Sequence, residues 1–119
     1  MQTAEDNKIS FAIVDENIFL LVSSDFTHYG KGYGFVPFEN GRDLDKHDKL
    51  IILEILKLDA KGFYHKASKS TICGFYGVAI ATELAKILGL KAELVDYYTS
   101  GDVTGDYSTC VGYAGLVFV

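Results

Sequence analysis

Apolar and polar positions fall into blocks along this chain, and the block periods predict strands interleaved with helices. Ile18 to Val22 is a continuous apolar run that, taken to Ser23, reads as a strand buried on both faces. Leu44, Ile51, Ile55 and Leu58 are spaced seven, four and three apart, with Ile52 and Leu56 widening the stripe, which predicts an amphipathic helix over 44–58. Asp59 is a good N-cap for a second short helix carrying Phe63 and Tyr64. Val78, Ala81, Ala85 and Leu88 mark a third helix from Gly74 to Leu88, ended by Gly89 at its C′ position. Leu90, Ala92 and Leu94 alternate into a strand leading to Tyr97-Tyr98, and Val111 to Val119 is apolar at both parities, hence a buried carboxyl-terminal strand. Near the start, Ile9, Ala12 and Ile13 stand at helical spacing and predict a short helix within 3–15. The sum is an α/β layered domain, with a central mixed sheet flanked by helices.

Two polar stretches interrupt these blocks. Ser23-Ser24-Asp25-Phe26-Thr27-His28-Tyr29-Gly30 follows the apolar run directly, the arrangement in which a rigid strand delivers polar side chains into a crevice. Thr71-Ile72-Cys73-Gly74 precedes the third helix, and the two stretches are expected to meet in space. Residues 29–42 interleave Gly30, Gly32, Gly34, Pro37 and Gly41 with Tyr33, Phe35 and Phe38. A loop of that length is often functional. It reads either as a pocket wall or as a surface loop with aromatic anchors.

Composition narrows the possibilities. The 119 residues suit one small domain over 1–119, and a hydrophobic fraction of 49% with a single proline predicts a packed core. A net charge of -5 argues against electrostatic binding to nucleic acid or an anionic membrane surface. Two cysteines are too few for a disulfide scaffold, and neither a signal-peptide pattern nor a membrane-length apolar run is seen, so a cytoplasmic setting with free thiols is expected.

His28 is the sharpest chemical candidate, because imidazole exchanges protons near neutrality and ligates metals through a neutral nitrogen. Asp25, three residues earlier, is placed to fix its tautomer. Cys73 stands at a predicted helix start, where orphan N–H groups favour a thiolate ligand or nucleophile. Cys110 reads as a small buried hydrophobe, and His47 and His65 as solvated helix residues. His28 and Cys73 alone do not complete a zinc or non-haem iron site, which generally takes three protein ligands or more. Ser100 to Asp106 has the look of a calcium loop but lacks the helical flanks and the terminal glutamate, so it reads as a turn whose aspartates can face the crevice.

Leu21-Val22-Ser23-Ser24-Asp25-Phe26-Thr27-His28-Tyr29-Gly30, Leu44-Asp45-Lys46, Ser70-Thr71-Ile72-Cys73-Gly74 and Tyr98 to Asp106 running into Val111-Gly112-Tyr113-Ala114 occur together in one order. In these stretches, which cover nearly the whole chain, the sequence resembles the Memo family (mediator of ErbB2-driven cell motility and its prokaryotic relatives). The resemblance implies a fold similar to class III extradiol-type dioxygenases, which use non-haem iron. It implies an acid/base role for His28, with Asp25 in the same motif, and a metal-site role for Cys73 beside His28, with iron or copper as the cofactor. Family members carry an additional N-terminal half with two further metal-site histidines, so this chain resembles the C-terminal half alone. The implied partner is then a separate chain supplying that half, or a second copy in a homo-oligomer. An edge strand or apolar face left uncovered follows from the same premise.

Three functions remain open at this stage. The first is a metal-dependent redox or dioxygenase-like activity, incomplete in this chain, with His28 and Cys73 at its crevice. The second is a non-catalytic peptide- or protein-interaction module using the Tyr33–Phe38 loop. The third is a Cys-His hydrolase built from Cys73 and His28.

Overall fold

A computed structural model describes residues 2–4, 9–11 and 24–119. At the amino end, β1 (Gln2–Ala4) and β2 (Ile9–Phe11) pair antiparallel with Thr3 opposite Ser10. Ile9 therefore stands in a strand, and the helix expected within 3–15 is not formed at these positions. A helix that short carries the full cost of nucleation with few bonds in return, and Thr, Ile and Phe favour the extended chain. The strand expected over Ile18–Ser23 lies outside the described residues.

The other described residues build three helices of two turns or more, and one single-turn helix, with a three-stranded sheet, so the expected α/β layering is found. The strands are β3 (His28–Tyr29), β4 (Ala92–Thr99) and β5 (Cys110–Phe118), in the order β3-β5-β4. β5 pairs antiparallel with both neighbours, His28 opposite Val111 and Tyr98 opposite Tyr113, with an irregularity in β4 between Leu94 and Asp96.

The helices are α1 (Leu44–Leu56), α2 (Ala60–Ala67) and α3 (Phe75–Ile87). Asp59 caps α2 as expected, its side chain accepting the Gly62 N–H at 2.9 Å. Gly89 ends α3 with φ 71, closed by Gly89 N–H to the Lys86 carbonyl (3.1 Å) and Leu90 N–H to the Ala85 carbonyl (2.9 Å). α1 ends in the same two-bond closure, but with Leu58 at φ 57 where glycine usually stands.

The core is the shared inner side of these elements. Ile51, Ile52 and Ile55 of α1 pack with Phe63 and Ala67 of α2, Val78 of α3, and Phe26 and Ile72 from the loops. Each such large side chain contributes about 1.5–3 kcal/mol relative to exposure. The sheet adds Ala92, Tyr97, Ala114, Leu116 and Phe118 from one face. Period two sends Tyr98, Tyr113 and Val117 to the opposite face. The carboxyl-terminal strand is thus buried on one side only, with Val117 40% and Val119 61% exposed.

Candidate functional site

The two polar stretches meet through hydroxyl groups. Thr27 Oγ1 lies 2.6 Å from Ser70 Oγ, and the Gly74 N–H donates to Ser24 Oγ at 3.1 Å. Between them, Thr71 Oγ1 accepts the His28 N–H (2.8 Å) and donates to the His28 carbonyl (2.6 Å). β3 places His28, because Tyr29 pairs with Cys110 and the Gly112 N–H bonds the Thr27 carbonyl at 3.0 Å.

The His28 ring has a defined tautomer in this setting. Nδ1 lies 3.0 Å from the Thr71 carbonyl, which can only accept, so Nδ1 carries the proton. In the neutral ring Nε2 therefore holds the lone pair. Nε2 stands 3.8 Å from Asp25 Oδ2, with side chains 21% and 37% exposed respectively. The Thr71 carbonyl, rather than Asp25, sets the tautomer, and Asp25 is placed to balance charge on Nε2. Tyr33 packs edge-on against the ring at 5.0 Å between centroids.

Cys73 precedes the N-cap Gly74 of α3 and is exposed, on the segment that the Ser24 bond ties to Asp25. Nδ1 is taken by the Thr71 carbonyl, and among the described residues no hydrogen bond joins Cys73 to His28. Among the described residues no cluster of three or more His, Cys, Asp or Glu side chains is arranged to hold a metal ion. Cys110 is fully buried at the start of β5, as a small hydrophobe should be.

The 29–42 loop is folded more tightly than its glycines suggest. Gly30 and Phe35 bridge through two main-chain bonds, Gly30 N–H to the Phe35 carbonyl (2.9 Å) and Phe35 N–H to the Gly30 carbonyl (3.2 Å), enclosing the 3-10 turn Lys31–Tyr33. Its aromatic residues serve two histidines, Tyr33 against His28 and Phe35 and Phe38 against His47. A cleft of about 520 Å³ is lined by Tyr29, Lys31, Val36, Glu39 and Tyr107, but by neither His28 nor Cys73. Ser100–Thr104 forms one helical turn, α4, rather than a loop. Asp102 closes its capping box with Thr99 and accepts the Tyr107 hydroxyl, and Asp106 binds Ser108. These carboxylates are held below the ordinary range, Asp102 mainly by the Thr99 amide and Asp106 by the Ser108 hydroxyl.

Two neighbouring residues of α1 were not among the sequence candidates. His47 was expected in solvent, but it is half-buried, with Nε2 3.1 Å from Ser70 Oγ, and burial pushes its pKa down against the pull of Asp48. His65, by contrast, is exposed beside Lys69. Asp48 is fully buried; its Oδ2 accepts the Tyr97 hydroxyl at 2.6 Å, while Oδ1 has no hydrogen-bond partner. Burial raises the Asp48 pKa, opposed by the Thr27 hydroxyl, Tyr97, His47 and the Thr27 amide. Burial likewise drives the Tyr97 phenol upward, with Asp48 adding to the shift. The one available signal was an aspartate at position 48 inside the apolar stripe of α1, three residues before Ile51.

This chain is similar to several curated proteins. The chain is 38% identical over 113 residues to the MEMO1 family protein of Thermococcus onnurineus, covering 88% of this chain and 39% of that protein. It is 41% identical over 105 residues to the MEMO1 family protein of Desulfurococcus amylolyticus, covering 87% and 34%. With the Archaeoglobus fulgidus member the identity is 38% over 120 residues, covering 99% and 42%. The chain thus spans roughly two-fifths of the length of these curated relatives. The sequence profile described as Memo-like protein matches residues 1–117, and by that match this chain belongs to the Memo-like family.

Proposed function

We propose that this chain supplies the acid/base and thiolate portion of a metal-dependent, redox or dioxygenase-like crevice. The observation that carries this reading is the hydrogen bond from His28 Nδ1 to the Thr71 carbonyl. It leaves Nε2 as the nitrogen that takes up or releases a proton, with Asp25 positioned to stabilise the protonated ring. His28 Nε2 and the Cys73 thiolate are the donors the chain offers to iron or copper. Two donors are fewer than such centres generally take from protein, so these residues fit a shared site. The further ligands come from a separate chain corresponding to the N-terminal half of the family domain, or from the remainder of a longer protein. A bound metal would act as a Lewis acid toward its ligand. With Nε2 free of metal the chain's own residues can hold a proton there, and in either state they orient the ring through Thr71 and flank it with Tyr33.

Elemental analysis and size-exclusion mass measurement on one purified sample test this reading. We expect substoichiometric metal in the isolated chain, rising when a chain carrying the missing half is added and abolished by His28→Ala with Cys73→Ala. Tight stoichiometric iron in the isolated chain that survives both substitutions would overturn it.

A second function, a non-catalytic interaction module, draws support from the exposed Tyr33 and Val36 of the aromatic loop. It predicts peptide binding indifferent to Cys73→Ser, and metal-dependent activity would eliminate it.

A further inference from the structure

The sheet register brings His28 onto the same face as an exposed pair of aromatic rings. His28 pairs with Val111 across β3 and β5, and Tyr98 pairs with Tyr113 across β4 and β5. Paired residues share a face, and period two keeps Val111 and Tyr113 together, so all four side chains stand on the outer face. Tyr113 follows Val111 by two positions, about 7 Å along the strand. The Tyr98 and Tyr113 rings lie 5.2 Å apart with 38° between their planes. Tyr33, as exposed as Tyr98, packs its ring against the His28 imidazole.

Asp25 joins this group through the main chain. The Phe26 N–H donates to the Gly112 carbonyl at 2.8 Å, which sets the Asp25–Phe26 peptide against the Gly112–Tyr113 peptide. In keeping with that placement, burial and then Asp25 push the Tyr113 phenol upward. Farther out on the same face stand Glu93, opposite Val117, and Asp96, opposite Gly115. Neither β4 nor β5 contains a lysine or arginine. The face therefore combines electron-rich rings with carboxylates. An aromatic face attracts a cation within about 6 Å of its centroid, and a carboxylate beside it adds to the attraction. The same carboxylates repel an anionic ligand.

We propose that Tyr98, Tyr113, Tyr33 and Asp25 form a substrate subsite of the His28 crevice, and that the substrate carries an alkylammonium head. The head lies over the Tyr98–Tyr113 step with Asp25 as its counter-ion, and the rest of the molecule extends toward His28 Nε2, where Tyr33 bounds the crevice. The ligand's role as substrate rests on the crevice reading given above, whereas the cation site itself stands on the geometry of the sheet face.

Choline and its uncharged carbon isostere dimethylbutanol test this on the full chain without added metal, because the two match in shape and differ in charge. With tyrosine rings labelled with carbon-13, choline should shift the Tyr98 and Tyr113 resonances saturably, the signals being assigned with Tyr98→Leu and Tyr113→Leu. The isostere should bind the wild-type chain about tenfold more weakly. Equal affinity for the two compounds makes the face an ordinary apolar patch and overturns the proposal, and so does the absence of a saturable choline shift at these two tyrosines. Asp25→Asn should weaken choline severalfold and leave the isostere unchanged, and an unchanged choline affinity overturns the assignment of Asp25 as counter-ion. Metal uptake measured on the same chain separates the two readings. Saturable choline binding to a chain that takes up no metal even with the missing half present supports the cation site and counts against the crevice reading. Metal uptake as expected in a chain indifferent to choline overturns this inference alone.

Discussion

The two faces of the β4–β5 ribbon are built from similar residues and have opposite fates. On the inner face Ala92, Tyr97, Ala114, Leu116 and Phe118 pack against the helices. On the outer face Tyr98 and Tyr113 pair at 5.2 Å, and Tyr98 and Val117 remain 46% and 40% exposed. The hydrophobicity of a strand position sets how much free energy burial would release, whereas the neighbouring elements decide whether burial happens. Tyr97 of the inner face also donates its hydroxyl to Asp48 Oδ2 of α1 at 2.6 Å, a buried polar contact that leaves Asp48 Oδ1 without a partner.

The largest expected effect breaks the inner face at its tightest point. A methyl group at Gly112 would stand 2.6 Å from the Tyr97 hydroxyl oxygen and closer still to Asp48 Oδ2. Gly112→Ala should therefore cost about 3 kcal/mol in urea denaturation, and a loss below ~1 kcal/mol would show that the pair can move aside. Tyr97→Phe keeps the ring but removes the donor to Asp48 Oδ2, with an expected cost of about 1–2 kcal/mol.

A pH titration of stability sharpens the same contrast. Burial depresses the folded-state pKa of His47 below its ordinary 6.5, so the unfolded chain takes up the proton first. Its contribution is full above that value and is lost as the pH falls through it, by at most about 1.4 kcal/mol per pH unit. Asp48 has the opposite sign. Its raised pKa gives a contribution that is full below the ordinary 3.8 and lost as the pH rises. His47→Gln should flatten the stability curve just below pH ~6.5, and an unchanged slope would place His47 in solvent. Least affected should be the outer face, where Val117→Thr is expected to change stability by under ~0.5 kcal/mol. Its readout is weaker binding of an apolar dye, and a large loss of stability would mean that the outer face is already covered.

Much of this architecture was legible in local patterns. The apolar stripes of α1 and α3, the Asp59 cap and the Gly89 stop depend on residues within a few positions of each other, and each is found. The meeting of the His28 and Cys73 segments was also legible, because two polar stretches each bordered an apolar block. The three hydroxyl contacts that join them link residues at least 43 positions apart, and nothing local marks them. The burial of His47 and Asp48 was hidden for the same reason, since their surroundings come from Phe35, Phe38, Ser70 and Tyr97. The amino-terminal strand pair was misread because three apolar residues satisfy a helical spacing as readily as an extended chain. α4 was missed because a single capped turn has no period to detect.

Thr71 has a consequence beyond orienting the imidazole. Its one hydroxyl takes up both main-chain groups of His28, the N–H and the C=O, that β5 does not use. Those are the groups by which a foreign strand would extend the sheet at this point. Threonine acts there as a stopper, ending the ladder with a side chain where another peptide might otherwise dock. A strand laid along His28 from that side would find both of these main-chain groups already taken.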